Sequence, residues 1–348
     1  MTARCLLALS LLAGCGGQSP DRAADVTLVE ELFVTAEERG SNMDSPATWT
    51  DDAGATRLLT TGKTTHQLYV HDAATGALER TVGRHGRKLG QFRRPNGIAV
   101  VGNLALVVER DNARVQVLRL PDFTPVGHFG WGTLRKPYGI AVIGRDAVDT
   151  EVFVTDDYRA FRNRTPPDHE LGERVKRFLL RVSDDGVAAR YLGAFGDTAG
   201  AGRLLQVESI ATDPDVGILL VADEEARDVK VYRPDGSFTG QALWRNELRH
   251  EPEGIGLYAC GSDDGYWVVA DQHPADNRFL VFDRASFRPI GAFTGAVVQN
   301  TDGLTLLQRP VGSMRAGAVY AVHDDRAVGA FSWSDVAEAL GLRDDCVA

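Results

Sequence analysis

The chain has 348 residues, enough for about two ordinary domains or one large repeat domain. Hydrophobic residues make up 43% and charged residues 25%, with 37 glycines and 14 prolines, a composition that excludes long disorder, collagen and coiled coils. The formal charge is −10 and no stretch is rich enough in Lys and Arg to follow a phosphate backbone, so nucleic acid is not an expected partner.

In chain order, Arg4 precedes a short apolar run over 5–13, far below the ~20 residues a membrane-spanning helix needs. Leu12-Ala13-Gly14-Cys15 resembles the bacterial lipobox. Residues 1–14 therefore read as a lipoprotein signal peptide, Cys15 as the lipidated first residue of the mature chain, and 15–25 as a tether. Gly16, where an Asp would mark inner-membrane retention, predicts an exported lipoprotein of the outer membrane or cell surface, attached to the membrane only through Cys15.

A strand over 26–34 has no unit of its own and is expected to pair with C-terminal strands. Repeats then fill the chain. Pro95-Asn96-Gly97-Ile98-Ala99-Val100 and Pro137-Tyr138-Gly139-Ile140-Ala141-Val142 are near copies. Val207-Glu208-Ser209-Ile210-Ala211, Pro252-Glu253-Gly254-Ile255 and Thr301-Asp302-Gly303-Leu304 follow, and Met43-Asp44-Ser45-Pro46 is an earlier relative. Each is trailed by a second β-rich run, at 57–61, 104–109, 151–155, 218–222, 266–270 and 318–322. Third strands are predicted at 67–72, 114–118, 230–232, 279–282 and 330–333, and outer strands at 123–129, 189–195 and 289–293. Six units of about four short strands predict an all-β fold, a six-bladed β-propeller over 26–348, expected to be a monomer. A polar, Arg-rich insertion at 158–176 is expected to lie as a loop over one face, and 334–342 as a short terminal helix.

With Cys5 cleaved off and Cys15 lipidated, Cys260 and Cys346 remain in an oxidising compartment, either as a disulfide or as two thiols.

Propeller geometry predicts where polar residues converge. Inner strands start at the mouth of the channel where the antiparallel second strands end. One ring should hold Asp44, Asn96, Tyr138, Glu208, Glu253 and Asp302. A second should hold Lys63, Glu109 with Arg110, Asp156 with Asp157, Asp223 with Glu224 and Glu225, Asp271 with Gln272, and Asp324 with Asp325. Crowded carboxylates repel unless protonated or bridged by cations, and hard oxygen ligands suit calcium. Lys63, Arg110 and, beside them, Lys136 or Arg159 could grip an anion. No nucleophile elbow, phosphate loop, zinc motif or nucleotide fingerprint is present. His66, His71, His85 and His250 read as surface residues.

The residues also resemble a known family. Asp44-Ser45-Pro46-Ala47-Thr48-Trp49, Thr61-Gly62-Lys63 with Leu68-Tyr69-Val70-His71-Asp72, Glu253-Gly254-Ile255-Gly256-Leu257-Tyr258, Gly265-Tyr266-Trp267-Val268-Val269-Ala270-Asp271-Gln272, Phe282-Asp283-Arg284, Thr301-Asp302-Gly303 and Ser332-Trp333-Ser334-Asp335-Val336 are similar to stretches of the β-propeller phytases, calcium-dependent 3-phytases that release phosphate from phytate. The resemblance implies metal ligands at Asp44, Glu208, Glu224, Glu251, Glu253 and Asp302, and several calcium ions. It implies phosphate contacts at Lys63, Arg110 and Tyr138, with Arg159 added from the insertion, and catalytic roles for Glu208, Glu224, Lys63 and Arg110. The substrate would be phytate or another phosphomonoester, cleaved by metal-activated water. The chain departs from the family at Ser45, at Asp156-Asp157-Tyr158 in place of a Lys-Glu pair, and at Ala327. Pro95 through Val100 with Val107 through Val117 also resembles NHL repeats, which implies a non-enzymatic propeller binding protein or glycan. A calcium-dependent lactonase with a single ion is the third alternative.

Overall fold

The computed structural model describes residues 26–144, 149–183 and 186–347. The predicted signal peptide, Cys15 and the 15–25 tether lie outside them. The described residues form six small sheets, and together they make a six-bladed β-propeller. From the channel outward, blade one is Met43–Thr50, Thr56–Gly62, Gln67–Asp72 and Leu78–Val82. Blade two is Pro95–Val101, Leu104–Glu109, Arg114–Arg119 and Thr124–Phe129. Blade three is Pro137–Ile143, Thr150–Asp156, Val175–Ser183 and Gly186–Phe195. Blade four is Val207–Asp213, Ile218–Asp223, Asp228–Tyr232 and Phe238–Leu243. Blade five is Glu251–Cys260, Asp264–Gln272, Arg278–Asp283 and Pro289–Thr294.

Blade six is closed by the other end of the chain. Its own strands are Leu304–Leu307, Ala318–His323 and Ala327–Ser332, and its outermost strand is the N-terminal Phe33–Val34, antiparallel to the last of these. The expected 26–34 strand is in fact two strands. Val26–Leu28 adds in parallel to the outer edge of blade five, and the chain then crosses to blade six, so one segment staples two blades. The expected 330–333 strand also shifts: Trp333 opens the terminal helix Trp333–Leu340. No helix among the described residues is long and apolar enough to cross a membrane.

Strand alternation explains why the sequence runs are almost continuously apolar. Each blade packs on two neighbours, so both faces are buried. In blade two, Leu106 and Val108 face blade three while Ala105 and Val107 face blade one. Leu219 and Val221 face blade three while Leu220 and Ala222 face blade five. The six apolar clusters each fill one inter-blade seam. The predicted surface position His71 belongs to such a seam: it is 2% exposed, and its Nδ1 has no hydrogen-bond partner among the described residues. Cys260 and Cys346 form a disulfide with Cα atoms 5.1 Å apart, tying the C-terminal tail to blade five.

Candidate functional site

The mouth is built by one backbone device used repeatedly. In blades one to five the inner ladder breaks at the same place: between Met43 and Pro46, Pro95 and Ile98, Pro137 and Ile140, Val207 and Ile210, and Pro252 and Ile255. The unpaired residues at each break are the predicted ring residue and a small neighbour, and a bulge of this kind redirects side chains away from the pleat. The small residue permits close approach of adjacent inner strands. A Cβ on Gly97 would lie 2.5 Å from the Tyr138 carbonyl oxygen, and one on Gly139 2.1 Å from that of Glu208. Threonines of the second strands fasten the bulges, Thr61 Oγ1 donating to Asn96 O at 2.6 Å and Thr155 Oγ1 to Glu208 O at 2.8 Å.

Five of the six first-ring residues, Asp44, Tyr138, Glu208, Glu253 and Asp302, line the central cavity. Asn96 is fully buried, with neither side-chain amide atom partnered among the described residues.

The predicted second ring separates into two roles. The last residue of a second strand is a structural clamp. Glu109 accepts Arg93 N at 3.1 Å, Asp156 accepts Lys136 N at 2.6 Å, Asp223 accepts Leu205 N at 2.8 Å and Asp271 accepts His250 N at 2.8 Å. Each thereby holds the loop arriving from the previous blade. A cation from the third strand satisfies most of them: Arg114 for Glu109, Lys230 for Asp223 and Arg278 for Asp271. The next residue is the one that turns to the mouth. Lys63, Arg110, Asp157 and Glu224 occupy this place, as does Gln272, which bonds Asp302. The expectation that Glu109, Asp156, Asp223 and Asp271 converge on the mouth in the second ring is corrected by these buried clamps.

At the centre, the carboxylates of Glu208, Glu224 and Glu253 bring one oxygen each within 4.8 Å of one another. Glu224 and Glu253 are buried, and Glu224 Oε1 has no hydrogen-bond partner among the described residues. Burial pushes the Glu208 carboxyl up to about 8, with the Asp44 charge adding to it and its hydrogen bond to Tyr138 opposing. Burial raises Glu224 and Glu253 well above the carboxylate range, the charge of Glu208 raising Glu224 further and those of Glu224 and Glu208 raising Glu253 further. Three proton-loving carboxyls around an unsatisfied oxygen are a donor set for a hard divalent cation. Glu251, predicted as a ligand, is exposed at the rim and reaches the cluster only through its charge on Glu224.

Lys63 reaches the mouth as expected but is ion-paired there. It is 5% exposed, with Nζ 2.7 Å from Asp44 Oδ2 and 3.0 Å from Asp302 Oδ2. Burial opposes its charge, but Asp44 and Asp302 more than offset this and hold its pKa above the ordinary lysine value. Burial likewise pushes Asp302 up to about 7, Lys63 pulling it down and Asp44 pushing it up.

Beside the acidic centre lies a cleft of about 630 Å³ in which four cations, Arg110, Lys136, Arg159 and Arg164, outnumber the carboxylates Asp157 and Glu225, and which is lined also by Gln206 and shares Tyr138 and Glu208 with the central site. Arg110 and Arg159 each pair with one carboxylate, of Asp111 and Asp157. Lys136 has no ion pair among the described residues, and burial followed by the charge of Arg110 lowers its pKa. The insertion contributes Asn163, Arg164 and Thr165 to the wall of the cleft, at and just after the short 3-10 turn Phe161–Asn163; a second such turn is Asp168–Glu173. Arg164 and Gln206 were not singled out from the sequence, since they belong to loops outside the repeat.

The fold and its mouth define a six-bladed propeller with an acidic channel centre flanked by a basic cleft. No family model and no curated protein matches the chain. Among solved structures, the calcium-binding protein regucalcin from Agrobacterium tumefaciens is similar at 11% identity and a TM-score of 0.56, over 88% of this chain and 95% of that one. A nidogen/laminin complex is similar at 15% identity and a TM-score of 0.49, over 74% of this chain and 82% of that one. The regucalcin likeness is one of fold.

Proposed function

We propose that the chain is an exported, lipid-anchored, calcium-dependent hydrolase of phosphomonoesters, with phytate the substrate to test first. The observation that carries this reading is the contact between two opposite sites: the carboxylates Glu208, Glu224 and Glu253, the last two buried, border a cleft bearing Arg110, Lys136, Arg159 and Arg164 through the shared residues Tyr138 and Glu208. Glu208, Glu224 and Glu253 would hold the ion, which when bound supplies charge to grip a phosphoryl oxygen and to acidify a water. Arg110, Lys136 and Arg159 orient the anion and stabilise charge on its equatorial oxygens. Tyr138, which meets Glu208 at the boundary of the two sites, donates a hydrogen bond there.

A second reading is a calcium-dependent lactonase. It is favoured by a single three-carboxylate cluster among the described residues, where several ions would ask for more than one. A non-enzymatic propeller is the reading left if neither reaction occurs. The test is phosphate release from calcium phytate and ring opening of gluconolactone, each with and without EDTA, by wild type, Glu224→Gln and Lys136→Met. Calcium-dependent phosphate release lost in both variants is the expected result. Lactone opening alone, insensitive to Lys136→Met, selects the second reading, and neither activity removes both.

A further inference from the structure

We propose that the mouth contains two cation positions and that Lys63 permanently fills one of them, so that the native chain takes a single divalent ion. The proposal rests on the reading of Glu208, Glu224 and Glu253 as an ion site. The ring brings Asp44, Glu208, Glu253 and Asp302 to one cavity, and Glu224 joins them from the end of a second strand. These carboxylates divide into two groups. Glu208, Glu224 and Glu253 face one another across a gap of less than 4.8 Å between their nearest oxygens. Asp44 and Asp302 come from the adjoining blades one and six, and the ammonium of Lys63 lies between their oxygens at 2.7 and 3.0 Å.

That second geometry is what a hard cation asks for. Calcium–oxygen distances are about 2.3–2.6 Å, so the two carboxylates need approach by only a few tenths of an ångström to hold an ion where the ammonium now sits. Gln272 already donates to the other oxygen of Asp302. Next to Asp44 in the ring, Asn96 is fully buried with its Oδ1 and Nδ2 both unpartnered among the described residues, which leaves a neutral oxygen in the buried ring. The Lys63 ammonium also lies over the Tyr138 ring, 5.9 Å from its centre, so the tethered charge stands near the same boundary residue as the glutamate cluster. A fixed ammonium compensates two aspartates whatever the calcium concentration. It therefore keeps half of the ring assembled before any ion arrives and leaves the other half to respond to calcium.

The experiment is calorimetric titration of the purified chain with calcium chloride, with melting temperature as a second readout, for wild type, Lys63→Arg and Lys63→Met. Wild type and Lys63→Arg are expected to bind one ion. Lys63→Met is expected to bind two, or, if the uncompensated aspartates prevent folding, to fold only when calcium is added. Lys63→Met that still binds one ion, or that stays unfolded at every calcium concentration, overturns the proposal, and so does a wild type that already binds two. A wild type that binds none refutes instead the reading of the glutamate cluster on which the proposal stands, so the wild-type titration alone tells the two failures apart.

Discussion

Single side chains at the mouth are held in unfavourable states that a partner must relieve. Glu224 combines burial, an unpartnered oxygen and like-charged neighbours. Glu224→Gln removes the ionisable group without removing volume, so the metal-free protein is expected to melt at a higher temperature than wild type while its calcium affinity falls by about tenfold or more, as calorimetry would read. His71 carries the opposite sign. Burial depresses its pKa to about 4, below the ~6.5 of an unfolded chain. Its contribution to stability is complete above about pH 6.5 and is lost as pH falls towards 4, because only the unfolded state then binds the proton. His71→Phe is expected to flatten the acid limb of a stability-versus-pH curve between those values, measured by urea unfolding; an unchanged limb refutes the assignment. Gly139 tests the close approach of inner strands. A methyl group there meets the Glu208 carbonyl oxygen at 2.1 Å, so Gly139→Ala should cost about 1–3 kcal/mol and should weaken calcium binding by displacing Glu208. A thermal scan paired with calcium titration checks both effects.

Elements close this fold at two points, and both join distant parts of the sequence. Val26–Leu28 and Phe33–Val34 lie on blades five and six, so deleting residues 26–34 leaves two edge strands unpaired and opens the ring at its seam. Such a truncation is expected to lower the melting temperature by about ten degrees or more and to promote self-association through the exposed edges, visible in size-exclusion profiles. The disulfide closes a separation of 86 residues. Chain-entropy arguments give it about 4–5 kcal/mol, and Cys346→Ser in purified protein should show most of that loss in denaturant unfolding, with the site chemistry intact because the bridge lies away from the mouth. The repeated element was legible in the sequence because each blade must bury both faces, which writes near-continuous apolar runs at a regular spacing. The 26–34 segment was legible only as a strand without a blade. Its division between two blades depends on which edges remain open after the ring has formed. The third strand of blade three, Val175–Ser183, was hidden because its first residues follow a polar insertion whose composition reads as loop.

For the molecule as a whole, electrostatics couples the mouth to calcium and to pH. Glu208 and Asp302 are raised to about 8 and about 7, above unfolded values near ~4. The folded state therefore holds protons that the unfolded state has released. This contribution is fully present below about pH 4 and is lost as pH rises through 7 and 8. In EDTA the melting temperature is expected to fall between about pH 4 and 8, and the increment on adding calcium to grow across the same range, since the ion binds the deprotonated cluster. Calorimetric scans at several pH values check this, and a calcium increment independent of pH would count against the cluster as its binding place.

By itself the sequence determined the blade count, the order of inner, middle and outer strands, and five first-ring positions that line the channel, Asp44, Tyr138, Glu208, Glu253 and Asp302. All of these follow from a repeat whose period is written in apolar alternation and small residues. Only the tertiary structure decided which polar residues work at the centre. The strand-end carboxylates Glu109, Asp156, Asp223 and Asp271 look like ligands in one dimension, yet each is taken up by the backbone amides of an incoming loop. Lys63 looks like a free cation, yet it is held between Asp44 and Asp302. Neighbouring residues at a strand end point in opposite directions, and the partners that claim them lie 16 to 21 residues back in the chain or, for Lys63 and Asp302, at opposite ends of it. Local sequence carries no record of such distances, because they exist only once the ring is closed.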